Sequence, residues 1–149
     1  MKEKILGVFK ALGFVMENFE KFGYGFQYEG KPYLYMYDED NENYLNISIP
    51  AVLDVDDDDD ISFYQLMNYI NITIKYVKAS KLDDSIWLVY ERRLLDEEDL
   101  EQVITHMIHL LEGSLHSLNR IMKGIKDDCN PDDDNDSETL GNNDQEDIA

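Results

Sequence analysis

Between residues 2 and 12 the apolar positions Ile5, Val8, Phe9 and Leu12 recur at the spacing of one helix face, and Gly13 supplies a stop. Met16 and Phe19 keep that spacing, so the same pattern also allows the helix to run on to residue 20. From Tyr24 the period falls to two. Tyr24, Phe26 and Tyr28 share one face, Gly30 makes a turn, and Tyr33, Tyr35 and Tyr37 alternate with Leu34 and Met36. After the turn-forming stretch "DEDNEN", Leu45, Ile47 and Ile49 alternate with Tyr44, Asn46 and Ser48, and Pro50 closes the strand.

The second half repeats the scheme. Ser62 and Gln65 form a capping box ahead of Phe63, Leu66, Met67, Ile70 and Ile74, which predicts a helix. Around an Asp83-Asp84 turn, Val77, Ala79, Ile86, Leu88 and Tyr90 share one strand face, and Tyr76, Lys78, Ser80, Trp87, Val89 and Glu91 the other. A long helix is predicted from 96 to 123, with an acidic first turn and a stripe through Leu100, Val103, Ile104, Met107, Leu111, Leu118, Ile121, Met122 and Ile125. The order α-β-β-β-α-β-β-α reads as an α+β domain over residues 1–126, an antiparallel sheet with helices packed mainly on one face. Residues 127–149 read as an acidic disordered tail.

The strand register decides which face is which. A two- or four-residue loop at Gly30 sets Phe26 opposite Tyr33 or Tyr35. Pairing Tyr37 with Tyr44 then sets Leu34 against Ile47 and Met36 against Leu45. On that register one face is aliphatic and meets the helices. The other is aromatic, with Tyr24, Phe26, Tyr28, Tyr33, Tyr35, Tyr37 and Tyr44, joined by Trp87. An odd loop would exchange the faces of one strand, since a slip of one residue moves every side chain across the sheet.

Charge narrows the partners. Of the formal −20, half lies between residues 127 and 149, which hold ten acidic residues and no Lys or Arg. The remainder is still acidic, so neither nucleic acid nor a membrane surface is an expected partner. Cys129 is the single cysteine, which excludes an internal disulfide framework and points to a reducing compartment. No apolar run has the length of a signal peptide or a membrane span, and the reading is of a soluble cytoplasmic protein.

Candidate chemistry is thin. The run Asp54 to Asp60 could hold Ca²⁺ or Mg²⁺ through carboxylate oxygens, but it lacks the Gly and Glu of a calcium loop and reads more simply as a linker entering a helix. Asp132, Asp134 and Asp136 have the spacing of such a loop, with Ser137 and Asn143 where its Gly and Glu belong. His109 and His116 lie opposite the apolar stripe of the last helix, two turns apart, too far for one metal ion. Cys129 sits in the tail, and neither Ser48 nor Ser62 has a nucleophile-elbow context. No catalytic residue, metal site or cofactor is therefore expected, and the protein is read as no enzyme. The rival reading is a metal-binding regulator or small enzyme using the Asp54–Asp60 run.

The stretches "GYGFQYEGKPYLYMYDEDNENYLNISIP" and "FYQLMNYINITIKYVKASKLDDSIWLVYERRL", followed by a long terminal helix, resemble the YbjN family of bacterial sensory transduction regulators over residues 2–123. That family is similar in fold to the class I type III secretion chaperones, small acidic dimers that hold extended client segments. The resemblance implies a chaperone-like fold and a regulatory or chaperone-like role, without a catalytic motif to carry over. The tyrosine-rich hairpin and the acidic tail depart from the family's pattern. The tyrosine face admits two readings, an ordinary core beneath the first and last helices or an interface. Because tyrosine joins a large rigid ring to a water-tolerant hydroxyl, the interface reading is preferred. On it Tyr24, Phe26, Tyr28, Tyr33, Tyr35, Tyr37, Tyr44 and Trp87 bind a protein partner or client peptide, a strand edge offers a second mode, and a homodimer is expected.

Overall fold

The computed structural model describes residues 1–55 and 60–128. Three helices, α1 (Lys2–Ala11), α2 (Asp60–Thr73) and α3 (Leu100–Asp128), accompany six strands: β1 (Glu17–Asn18), β2 (Tyr24–Tyr28), β3 (Lys31–Met36), β4 (Tyr44–Asp54), β5 (Lys78–Leu82) and β6 (Ser85–Arg93). The strands make one antiparallel sheet in the order β1-β2-β3-β4-β6-β5, so the expected α+β layering is present. The chain forms two compact units. Residues 1–115 hold the whole sheet; in the second, which starts at His116, Arg120 donates to the Ser117 hydroxyl at 3.2 Å.

Helix α1 stops where Gly13 allows it. Gly13 takes φ +95°, its N–H donates to the Lys10 carbonyl, and the Phe14 N–H reaches back to the Phe9 carbonyl, a left-handed cap that suits glycine. The helix therefore does not continue to residue 20. Glu17 and Asn18 form β1 instead, a strand the helical spacing had concealed. Helix α2 begins at Asp60, two residues before the predicted capping box. Helix α3 begins at Leu100 rather than 96, since Asp99 caps it by accepting from the N–H groups of Glu101 and Gln102 at 3.1 and 3.4 Å.

Both hairpin turns built on short loops take the predicted form. Glu29 and Gly30 both have positive φ (51° and 74°), the two-residue turn that matches strand twist, and Phe26 pairs with Tyr33. In the β5–β6 hairpin, Ala79 faces Leu88 and Ser80 faces Trp87, the partition read from the pattern.

The β3–β4 connection overturns the expected register. Leu34 pairs with Ser48, Tyr35 with Ile47 and Met36 with Asn46, one residue away from the expected pairing. The cause is the loop. Asp38 accepts from the N–H of Asp40 through its side chain and from that of Asn41 through its carbonyl, and Asn41 then accepts from Tyr44. Two successive turns give an odd connection, which exchanges the faces of β3 relative to β4. Tyr33 and Tyr35 therefore share a face with Leu45, Ile47, Ile49, Ile86, Leu88 and Tyr90, and all of them are buried.

That shared face is the core of the first unit. Phe9 of α1 sits 5.0 Å from Phe26 and 5.5 Å from Tyr35 between ring centroids, and Ile5 and Phe9 are essentially sealed from water. From α3, Val103, Ile104, Met107, Ile108 and Leu111 are buried, and His109 lies 6.3 Å from the Tyr28 ring. Helix α2 is tied to the far edge by Asn71, whose amide donates to the Ala79 carbonyl and accepts from the Ala79 N–H at 2.6 Å.

Candidate interaction surfaces

The residues expected to form an exposed aromatic face divide into two groups. Phe26, Tyr33 and Tyr35 are 3%, 2% and 1% exposed, so the expectation that they contact a partner is corrected: all three form the core, Phe26 and Tyr35 against Phe9 of α1 and Tyr33 against Phe26 and Tyr28. Burial pushes both tyrosine hydroxyls well above their ordinary acidity range, as a phenolate there would lose its hydration. Tyr24, Tyr28, Tyr37, Tyr44 and Trp87 are half-buried at the margins. Tyr24 stacks on Tyr35, and Tyr28 packs edge-on against Tyr33. Tyr28 is pushed up by burial and by its hydrogen bond to Glu112. Tyr37 donates to Glu39 at 2.7 Å beneath the Lys2 ammonium, 4.5 Å from the ring centre, and with Tyr44 it lines a small cavity of about 270 Å³. Trp87 faces away from the core, and its indole N–H donates to Ser85 at 3.1 Å.

The opposite side of the sheet carries Leu34, Asn46, Ser48, Val89 and Glu91. Asn46 donates to Glu91 at 3.1 Å, and Lys78 pairs with the same carboxylate. The Asn46 carbonyl oxygen and the Ser48 hydroxyl are buried without a hydrogen-bond partner among the described residues. At the end of β6, Glu98 accepts from the Leu95 N–H at 2.7 Å and pairs with Arg92, and those two bonds hold its carboxyl below the usual glutamate range.

Other expected sites gain little. Asp54 is exposed, Asp56–Asp59 and the tail from Cys129, with Asp132, Asp134 and Asp136, lie outside the described residues, and no group of three metal-ligating side chains occurs among the described ones. His106, His109 and His116 are all exposed. No helix among the described residues is long and apolar enough to cross a membrane.

A surface that periodicity alone did not single out lies on α2. Residues 61–74, "ISFYQLMNYINITI", contain no charged side chain in a chain that is 31% charged. Met67 and Ile70 face inward, whereas Tyr64, Tyr69 and Ile72 are 53%, 53% and 73% exposed, with Gln65 and Asn68 between them. At about 3.6 residues per turn these five positions share one side of the helix. Beyond the helix end Tyr76 is also 73% exposed, and it stacks on Tyr90 at 6.3 Å. The signal in the sequence was the missing charge; the helical stripe marked only the buried half. No protein-family model matches this chain, and no curated protein sequence matches it.

Proposed function

We propose that this protein is a non-enzymatic interaction protein, chaperone-like or regulatory in role, that pairs with a second copy through the outer face of α2 and leaves the β1 edge of its sheet for a client segment. The observation that carries the reading is the tyrosine-bearing patch of Tyr64, Asn68, Tyr69 and Ile72, a helix face with no charged side chain of its own and with the Lys81 ammonium 5.8 Å over the Tyr64 ring, exposed on a chain of formal charge −20. Interface centres are depleted in charge and enriched in tyrosine, and large exposed apolar side chains gathered on one helix mark a contact surface. Two copies repel each other over most of their surface; at residues 61–74 they can meet without opposing carboxylates. A basic partner would find its complement on the acidic remainder of the surface, so the neutral patch suits a copy of itself, with Asn, Gln and Tyr able to donate and accept across a two-fold axis. The reading agrees with the resemblance to the YbjN family and with a reducing cytoplasmic setting.

Sedimentation equilibrium of the full chain tests it. A species of twice the 17.4 kDa chain mass is expected, and Ile72→Asp, which alters an exposed side chain and should leave the circular dichroism unchanged, weakens the association by about tenfold or more. A wild-type chain that remains monomeric at high protein concentration, or a variant that dimerises equally well, contradicts the reading.

A further inference from the structure

The geometry points to the outer edge of β1 as the docking site for an extended peptide that carries two consecutive apolar side chains and a neighbouring basic residue. This rests on the reading of the chain as a client-binding interaction protein and supplies the chemistry of the client. In the sheet order β1 is an edge strand. The Phe19 N–H donates to the Gly23 carbonyl at 2.8 Å, so the odd-numbered residues of this stretch turn their backbone groups toward β2, and Met16 and Asn18 turn theirs outward. Outward-facing backbone groups on an edge strand are a template for another extended chain.

The side chains alternate with the backbone. Val15, Glu17 and Phe19 line a hollow of about 380 Å³ on one face of the sheet, with Pro32, Leu34 and Pro50 among the other residues that wall it. On the other face Met16 lines a hollow of about 570 Å³ with Leu6, Phe14 and Tyr24, and Lys10 stands at its rim. Val15, 86% exposed, borders both, and Phe19 is 46% exposed although its ring covers Gly25. Successive residues of an added strand point to opposite faces, so adjacent apolar side chains would extend one into each hollow. A client with a single apolar face would fill only one of them. Charge sets the remaining preference: Glu17, which lines the first hollow, and Glu20 are exposed and form no ion pair among the described residues, whereas Lys10 lines the second, which favours a Lys or Arg of the client on the Glu17 face.

The test uses the full chain and two labelled, capped peptides of identical composition, lysine at both ends. One has a central Ile-Phe pair; in the other a serine separates the two, so that both fall on one face. Fluorescence anisotropy is expected to show the adjacent-pair peptide binding at least about tenfold more tightly. Val15→Glu and Phe19→Glu each reduce that binding by a similar factor, while Ile72→Asp leaves it unchanged. Equal affinity for the two peptides, no binding of either, or undiminished binding by both glutamate variants overturns the proposal. A failure of α2 pairing registers in the sedimenting mass and not in the anisotropy, so the two ideas fall separately.

Discussion

Tyr35 touches Phe9, Tyr24 and the β4 side of the core at once, and only 1% of it meets water. Replacing it with alanine leaves a large void among rings that cannot all collapse inward. A loss of about 3–5 kcal/mol in urea unfolding is expected, the range for a buried aromatic truncation. A similar loss is expected for Phe9→Ala, which removes the other half of the contact. Substitutions at Tyr33 and Tyr35 thus report on folding and cannot serve as clean probes of binding. Glu98 offers a finer test. Its folded carboxyl titrates below the unfolded value, so its contribution to stability is present above the ordinary glutamate range and is lost as pH falls through the lower folded value. Glu98→Gln should accordingly flatten the decline of stability with acidification in that window, measured by thermal unfolding across a pH series. An unchanged slope would mean that the Arg92 and Leu95 contacts contribute nothing net.

At the scale of the element, the three helices and β2 to β6 were legible because periods of two and 3.6 are written in the side chains, and Gly30 and Asp83, both at positive φ, mark the two tight turns. The loop from Tyr37 to Asn43 was not legible in the same way. It is rich in the turn formers Asp and Asn, and nothing in its composition fixes whether the connection is odd or even; the hydrogen bonds of Asp38 and Asn41 decide it. That one residue moved the tyrosines from a presumed surface to the core. β1 was missed because Met16 and Phe19, three residues apart, continue the helical spacing, whereas in the strand they fall on opposite faces. Its docking depends on Gly23, at φ +105°, where an added Cβ would come within 2.2 Å of the Tyr35 carbonyl oxygen. Gly23→Ala is expected to detach β1 from β2, raising hydrogen exchange at Phe19 and Glu17 while β4 and β6 stay protected. Loss of protection throughout the sheet would show that β1 is integral to the fold.

Across the whole molecule, the dominant quantity is charge. With a formal −20 on each copy, any self-association works against electrostatic repulsion, which salt screens over about 10 Å at 0.1 M. Pairing through an uncharged surface should therefore strengthen as salt rises; a dimer held by ion pairs would weaken. The sequence announced the acidity and the missing charge on α2, yet it took the burial of Met67 and Ile70 to show which half of the helix remained outside. The most direct measurement is cysteine cross-linking in a Cys129→Ser background. Asn68→Cys, at the centre of the exposed α2 face, should form a disulfide-linked dimer readily under mild oxidation, while Lys4→Cys on the exposed side of α1 should not. Equal cross-linking at the two positions, or none at Asn68→Cys, would contradict pairing through α2.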